Sequence, residues 1–424
     1  MESIKWSLVC YAAIAILMPI GIAFGQSESP PQQQISYQLP VDLPQMPAAG
    51  VPLGNFLKPS QGKAVLDLTL AQSPTLEAWK ARVEYNRKHI QHGLGLDPWP
   101  KRNPLNAIVS EKRTYDGYSV ANFAIESIPG FYTSGSLYRP VNTVGLCPAV
   151  LCTHGHWQGA PPRMQEMMQL RGATLARMGA VAITIDMFGY GDNLSQFTNG
   201  TFENVHCTRM AAPMQIWGLM RAIDFLTTLD GVDAKRIAVT GESGGGTQAF
   251  VVTALDPRIS VCVPVVMVSS YMFGGCLCES GRPMHHSDGH FITNTEIAAM
   301  AAPRQMLVVS DGNDWTQNTP DIEFPFLQKI YTLNGAGNNV ENIHLKNEGH
   351  DYGPSKRQAM YRFLAGKFML NLSAAENADG KLDESKVTIE DGKLMRVWND
   401  ANPVPANVLR TVEDVEAALK KAQR

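Results

Sequence analysis

Neither sign of charge is in excess in this 424-residue sequence: 36 Lys and Arg stand against 39 Asp and Glu, a formal net charge of −3. With no basic surplus, and no run of Lys or Arg interleaved with aromatics, the chain cannot neutralise a phosphate backbone, so nucleic acid is excluded as a partner. Charged residues make up 18% of the chain and hydrophobic ones 44%, which excludes disordered and collagen-like classes and leaves material for a large core. Cysteine is sparse, with seven residues including Cys10 near the N-terminus. That scarcity excludes a small disulfide scaffold, and the six that remain (Cys147, Cys152, Cys207, Cys262, Cys276, Cys278) permit pairing without establishing it. Cys276 and Cys278 lie too close for a comfortable mutual bridge. No second C-x-x-C-type pair accompanies them, so zinc has little support and neither metal nor cofactor is expected. The apolar run at 8–24 falls just short of the roughly 20 residues of a spanning helix. There is no internal repeat.

What is present begins with an address. Lys5 and the amino terminus precede the apolar run, which closes on Pro19 and the small-residue end Ala23-Phe24-Gly25 before the polar Gln26-Ser27-Glu28-Ser29. This pattern reads as a signal peptide over 1–25, making the mature protein secreted or periplasmic and free of the membrane; the alternative is an uncleaved N-terminal anchor. Residues 26–74 are assigned to an extended arm rich in Pro and Gln, 75–372 to the main domain and 373–424 to a C-terminal extension with no readable chemistry.

Within the main domain, 75–92 carries helical spacing behind a Ser73-Pro74-Thr75 start. Three strands follow at 107–114, 118–126 and 131–138, separated by Asp116-Gly117 and Pro129-Gly130 turns. From Pro148 the pattern changes to short Val- and Ile-rich runs at 149–153, 181–185, 236–240, 261–266, 306–310 and 342–346. Helix-like segments at 162–178, 213–229, 245–254 and 354–370 alternate with them, and 411–421 forms a last one. Apolar runs without in/out alternation suit strands covered on both faces, so the fold class is α/β, a mostly parallel central sheet with helices on both faces.

The strongest local signal is Gly241-Glu242-Ser243-Gly244-Gly245-Gly246, placed directly after a strand and before a helix. It fits the G-x-S-x-G nucleophile elbow, in which a tight turn exposes the serine hydroxyl above the sheet and only small neighbours avoid collision. A phosphate loop is the competing reading, and it fails for want of a Lys-Ser/Thr pair. A serine hydroxyl needs a base, and the base needs a carboxylate to orient it. In the order Ser…acid…His, the base is His350 in Glu348-Gly349-His350-Asp351, after the last strand and before the final helix. The acid is Asp314 in Ser310-Asp311-Gly312-Asn313-Asp314-Trp315-Thr316, with Asp311 as the alternative. His344 lies within a strand and reads as packing or surface.

An oxyanion formed by such attack needs two N–H donors, assigned to the backbone of Gly244 and of His156 in His154-Gly155-His156-Trp157. His154 reads as a buried structural histidine. Trp157 and Trp315 are candidate substrate contacts, and Tyr190 and Phe273 complete a conceivable aromatic platform. The cluster His285-His286-Ser287-Asp288-Gly289-His290 offers metal donors, but hydrolysis by Ser243 needs no ion, and the expectation is a solvated or hydrogen-bonded loop. Asp186-Met187-Phe188-Gly189-Tyr190-Gly191-Asp192-Asn193 reads as a structural turn.

Taken in order, the 154–157 and 186–192 motifs, the elbow, Gly274-Gly275-Cys276-Leu277-Cys278-Glu279, Asp314-Trp315-Thr316 and 348–351 resemble the secreted bacterial α/β-hydrolases related to acetyl xylan esterases and dienelactone hydrolases. The resemblance covers roughly 105–370. It implies an α/β-hydrolase fold and a Ser-His-Asp serine esterase acting on acyl esters, commonly acetyl groups on plant polysaccharides, so the expected partner is a small-molecule or polysaccharide ester. In similar sequences an equivalent of Asp311 is often lacking, which favours Asp314. A serine peptidase of the prolyl-oligopeptidase type is the rival, although roughly 120 mature residues before the sheet motifs are too few for a propeller. A binding or scaffolding protein on the same fold is the third reading; an intact elbow, acid and base argue against it.

Overall fold

The structure, a computed structural model, describes residues 43–48, 50–157, 161–287 and 289–424. The expected signal peptide at 1–25 and most of the arm lie outside the described residues. Among the described residues no helix is long and apolar enough to cross a membrane.

Two helices come first, α1 (Pro59–Gln72) and α2 (Leu76–Leu94). Residues 59–72 were expected to be extended as part of the 26–74 arm and are helical instead, because Val65, Leu66 and Thr69 share a face that is buried against the body. The second helix starts where the sequence places it: Thr75 caps it by accepting from the Ala78 N–H at 3.2 Å. Gly95 ends it in the left-handed conformation at φ 73°.

The sheet opens with two short strands, β1 (Ile108–Val109) and β2 (Arg113–Thr114), where one strand was expected over 107–114. Both pair antiparallel with the long β3 (Tyr118–Ile128), which forms a hairpin with β4 (Phe131–Pro140). β5 (Cys147–Thr153) is followed by α3 (Glu166–Arg177), β6 (Val181–Ile185), the one-turn α4 (Gly191–Leu194) and α5 (Ala211–Thr228). Next come β7 (Val232–Glu242), α6 (Gly244–Leu255), β8 (Ile259–Val265), the short α7 (Leu277–Ser280) and the two-residue strands β9 (His286–Ser287) and β10 (His290–Phe291). The chain closes with α8 (Asn294–Ala299), β11 (Gln305–Asp311), α9 (Glu323–Leu333), β12 (Val340–Leu345), α10 (Pro354–Phe368) and α11 (Val412–Ala422).

Strand order in the main sheet is β1-β3-β4-β6-β5-β7-β8-β11-β12, with β2 also on β3. Along this order every pairing from β6 to β12 is parallel and β4 meets β6 antiparallel, while β9 and β10 pair antiparallel in a separate two-stranded sheet. Burial explains the missing alternation in the sequence. In β5, Ala149 and Leu151 face one core with α5 and α6, while Val150 and Cys152 face a second core with α3 and α10, and all four are 0% exposed. Covering both faces removes the polar positions that would otherwise alternate.

Residues 373–424 fold back on the body. Glu390 accepts from Arg113 Nε at 2.6 Å and Tyr115 Oη at 2.8 Å, and the Val397 N–H donates to Asp192 Oδ2 at 2.8 Å. Val415 and Leu419 of α11 enter the α5–α6 core.

Candidate active site

The end of β7 and the start of α6 leave one residue, Ser243, to make the reversal between them. Its backbone stands at φ 55°, ψ −125°, a conformation that a residue with a Cβ adopts only under constraint. Part of the constraint is the bond from the Ser243 N–H to the Val265 carbonyl at 3.1 Å. Small neighbours do the rest. A Cβ on residue 241 would lie 2.0 Å from Thr153 Oγ1, and one on residue 245 would lie 2.7 Å from the His154 carbonyl oxygen. The spacing of the elbow in the sequence is therefore a steric requirement of two loops meeting at the serine.

At the end of β11 the chain turns through 311–316. Asp314 Oδ1 accepts from both the backbone N–H and Oγ1 of Thr316, each at 2.6 Å, which aims Oδ2 outward. That oxygen accepts from His350 Nδ1 at 2.7 Å, with the Asp314 side chain 3% exposed and the histidine 26%. Because Nδ1 carries the proton, Nε2 keeps the lone pair that a base requires. Asp311, the alternative acid, faces Lys356 at 3.4 Å instead, with both side chains buried. Burial, and then the charge of Asp314, push its carboxyl up to about 6.

The loop after β5 lies against the elbow: a Cβ on Gly155 would be 3.2 Å from Ser243 Cβ, and the His156 ring covers Gly244, whose added Cβ would lie 2.6 Å from His156 Cε1. Gly155 thus adjoins the serine and the His156 ring adjoins Gly244; the N–H groups of Gly244 and His156 are the two oxyanion donors expected from the sequence. Sequence reasoning passed over the residue that ties this loop down. Glu242 Oε1 accepts from the Gly155 N–H and from Trp157 Nε1, both at 3.0 Å, while Oε2 meets Arg171 Nη1 at 3.1 Å. Arg171 in turn lies 3.8 Å above the Tyr352 ring. A carboxylate ending a strand and about to be buried was the available signal, since such a group demands partners.

Of the four rings expected on an aromatic platform, two stand near the elbow or the histidine and two do not. Trp315 lies against His350, ring centroids 4.3 Å apart, and Trp157 stands beside the elbow on Glu242. Phe273 is fully buried on Phe56, Phe291 and His285, and Tyr190 is buried on His154, Phe202 and His206. Apolar packing claims these last two rings.

His154 is buried, its Nε2 accepting from the Met187 N–H at 3.1 Å. Arg163 holds the 186–192 turn through Asp186 and Asp192 at 2.9 and 2.7 Å, all three side chains buried. In the His-rich segment, the rings separate: His285 bonds Asn294 at 2.7 Å and His290 stacks on His89 at 4.4 Å. Elsewhere the fold gathers donors that are scattered in sequence, namely His156, His206, Cys276 and Cys278. Burial pushes the His206 imidazole down to about 4, so it is neutral near pH 7.

A family model described as glucuronyl esterase, fungi, matches residues 154–276. Among solved structures the chain is similar to Methylesterase BT1017, with 39% identity, 86% of this chain and 80% of that chain covered, and a TM-score of 0.78. It is 24% identical over 280 residues to acetyl esterase Axe7A of Xylanibacter ruminicola, covering 58% of this chain and 61% of that one. It is 25% identical over 218 residues to 4-O-methyl-glucuronoyl methylesterase of Neurospora crassa, covering 43% and 53%. The chain spans about half the length of three curated relatives it matches, from 48% to 61%, and 21% of a fourth.

Proposed function

Since the chain belongs to the esterases of the α/β-hydrolase type related to acetyl xylan esterases, we propose that it hydrolyses methyl or acetyl esters carried on carbohydrates, using Ser243, His350 and Asp314. The observation that carries the residue assignment is the 2.7 Å bond from His350 Nδ1 to Asp314, at the same C-terminal end of the parallel strands at which Ser243 is held at φ 55°. In this reading Ser243 Oγ attacks the ester carbonyl as His350 Nε2 takes its proton, and Asp314 steadies the imidazolium. The amides of Gly244 and His156 hold the oxyanion; such a donor is worth about 10²–10³ in turnover. His350 then gives its proton to the departing alcohol, and water, deprotonated by the same ring, releases the acid from Ser243.

For the ester itself, the resemblance in sequence implies acetyl groups, whereas the similarity to a methylesterase at 39% identity and to a 4-O-methyl-glucuronoyl methylesterase at 25% favours a methyl ester of a sugar acid. The two differ in which side of the ester is small. Export by the 1–25 segment belongs to the same proposal.

The test is methanol release from methyl-esterified uronic-acid polymers run beside acetate release from acetylated xylan and cleavage of a chromogenic prolyl peptide. Methanol release that falls by about 10⁴-fold or more in Ser243→Ala, with an unchanged circular dichroism spectrum, is the expected result. Acetate release alone moves the substrate to acetyl esters. Peptide cleavage without ester turnover would sink the proposal.

A further inference from the structure

We propose that His156, His206, Cys276 and Cys278 form a four-ligand site for a zinc-type divalent cation, a structural clasp beside the elbow. The four side chains come from three segments: His156 from the loop after β5, His206 from the end of a single π-turn (Phe202–His206), and the two cysteines from the lead-in and first turn of α7. One donor atom from each lies within 4.8 Å of all the others. Three of the four residues are buried, and the fourth, His156, is partly so.

The four donors converge more closely than one proton can serve. His156 Nε2 stands 3.1 Å from His206 Nε2 and 3.1 Å from Cys278 Sγ. Zinc bonds of about 2.0–2.1 Å to nitrogen and 2.3 Å to sulfur, set tetrahedrally, give donor separations of roughly 3.3–3.8 Å, so the His156 ring has to withdraw by a few tenths of an ångström to admit the ion. His206 Nδ1 donates to the Phe188 carbonyl at 2.6 Å, which fixes the tautomer and turns the lone pair of Nε2 toward His156. His156 Nε2 therefore faces a lone pair and a sulfur at once. A single proton on it serves one of them, whereas a cation at the centre serves all four donors. Binding displaces the thiol protons of Cys276 and Cys278 to solvent and leaves both imidazoles neutral, a two-nitrogen, two-thiolate set of the kind that selects zinc over hard cations such as magnesium or calcium.

Four protein ligands leave no open position, so the cation stands outside the ester chemistry. Its effect is on position. His156 supplies an oxyanion amide in the function proposed above, and its ring lies over Gly244; clasping that ring to the π-turn and to α7 holds the amide in place. This last step rests on that function, while the site itself does not.

The full-length protein, purified without a polyhistidine tag, is tested by elemental analysis, by cobalt substitution and by thiol counting. About one zinc per chain is expected. The cobalt form should show tetrahedral d–d bands and a thiolate-to-cobalt charge-transfer band, which Cys278→Ser weakens and His92→Ala, at an exposed histidine, leaves unchanged. Should Cys278→Ser fail to fold, zinc release from the unaltered protein on stepwise mercurial titration of its thiols reads the same ligands. Two outcomes overturn the site: metal below a tenth of an equivalent after incubation with zinc, with all thiols reactive on unfolding; or two thiols absent until reductant is added, which assigns Cys276 to a disulfide with its neighbour Cys207. Neither outcome touches the esterase assay, so failure of the clasp and failure of the function are separable.

Discussion

At the residue scale, the choice between two aspartates three positions apart decides how the His350 ring is aimed. Asp314 is held by Thr316 and bonded to His350, and Asp311 is turned to Lys356. Asp314→Asn should lower kcat by about 10⁴-fold by stabilising the wrong histidine tautomer, whereas Asp311→Asn should leave kcat within a few-fold. Asp311 has its own signature in stability. Its folded pKa of about 6 lies above the roughly 3.9 of an unfolded carboxylate, so the fold favours its protonated form and loses that stability as pH rises from about 4 to about 6. Asp311→Asn therefore gains stability relative to the parent across that window and holds the gain above it. Urea midpoints at pH 4, 5, 6 and 7 measure the difference; a pH-independent difference would contradict the assignment.

At the scale of elements, α11 is a helix that its own sequence makes and the body uses. Thr411 caps it by accepting from the Asp414 N–H at 3.1 Å, Glu413 and Asp414 sit in its first turn, and Lys420 and Lys421 in its last, all favourable to the helix dipole. Its inner face places Val415 at 0% and Leu419 at 4% exposure in the α5–α6 core. The Ala422 carbonyl accepts from the Lys101 N–H at 2.8 Å, and Gln423 reaches the Gly95 carbonyl at 3.0 Å. Leu419→Ala should cost about 2–5 kcal/mol, read as a lowered denaturant midpoint at unchanged slope. An effect under about 0.5 kcal/mol would mean that this helix is an appendage.

At the scale of the whole molecule, Arg163 links regions far apart in sequence. It meets Asp186 and Asp192 of the turn after β6, Ser136 of β4 at 2.8 Å, and the Met395 carbonyl of the C-terminal segment at 3.0 Å. Arg163→Met leaves the buried Asp186 without its cation and Asp192 with only Arg396, at 3.3 Å, and should destabilise the fold by about 3–5 kcal/mol. Because that turn carries the Met187 N–H on His154 and the Phe188 carbonyl on His206, its loosening should also lower kcat more than it raises KM. Denaturation and steady-state kinetics on the same preparation separate the two effects.

Local rules made the sheet legible in advance. Short Val- and Ile-rich runs, turn glycines and capping residues act within a few positions of chain, so 181–185 was bounded correctly from sequence and the strands at 149–153 and 306–310 to within two residues. The elbow, Asp314 and His350 were legible for the same reason, since strand ends and small neighbours dictate where such groups can stand. α1 was missed because its apolar face is narrow and gains meaning only when the body covers it. Glu242 and its grip on Gly155 and Trp157 join positions 85–87 apart, and the His156–His206–Cys278 contacts join positions 50 and 122 apart. Contacts at such separations leave no periodic trace in the chain, because what brings their atoms together is the sheet order and the loops above it. The sequence by itself determined most strands of the sheet and the elbow, and singled out the residues proposed for ester chemistry; only the tertiary structure decided which carboxylate faces the histidine, what braces the loop before Trp157 and which sulfurs and imidazoles converge beside it.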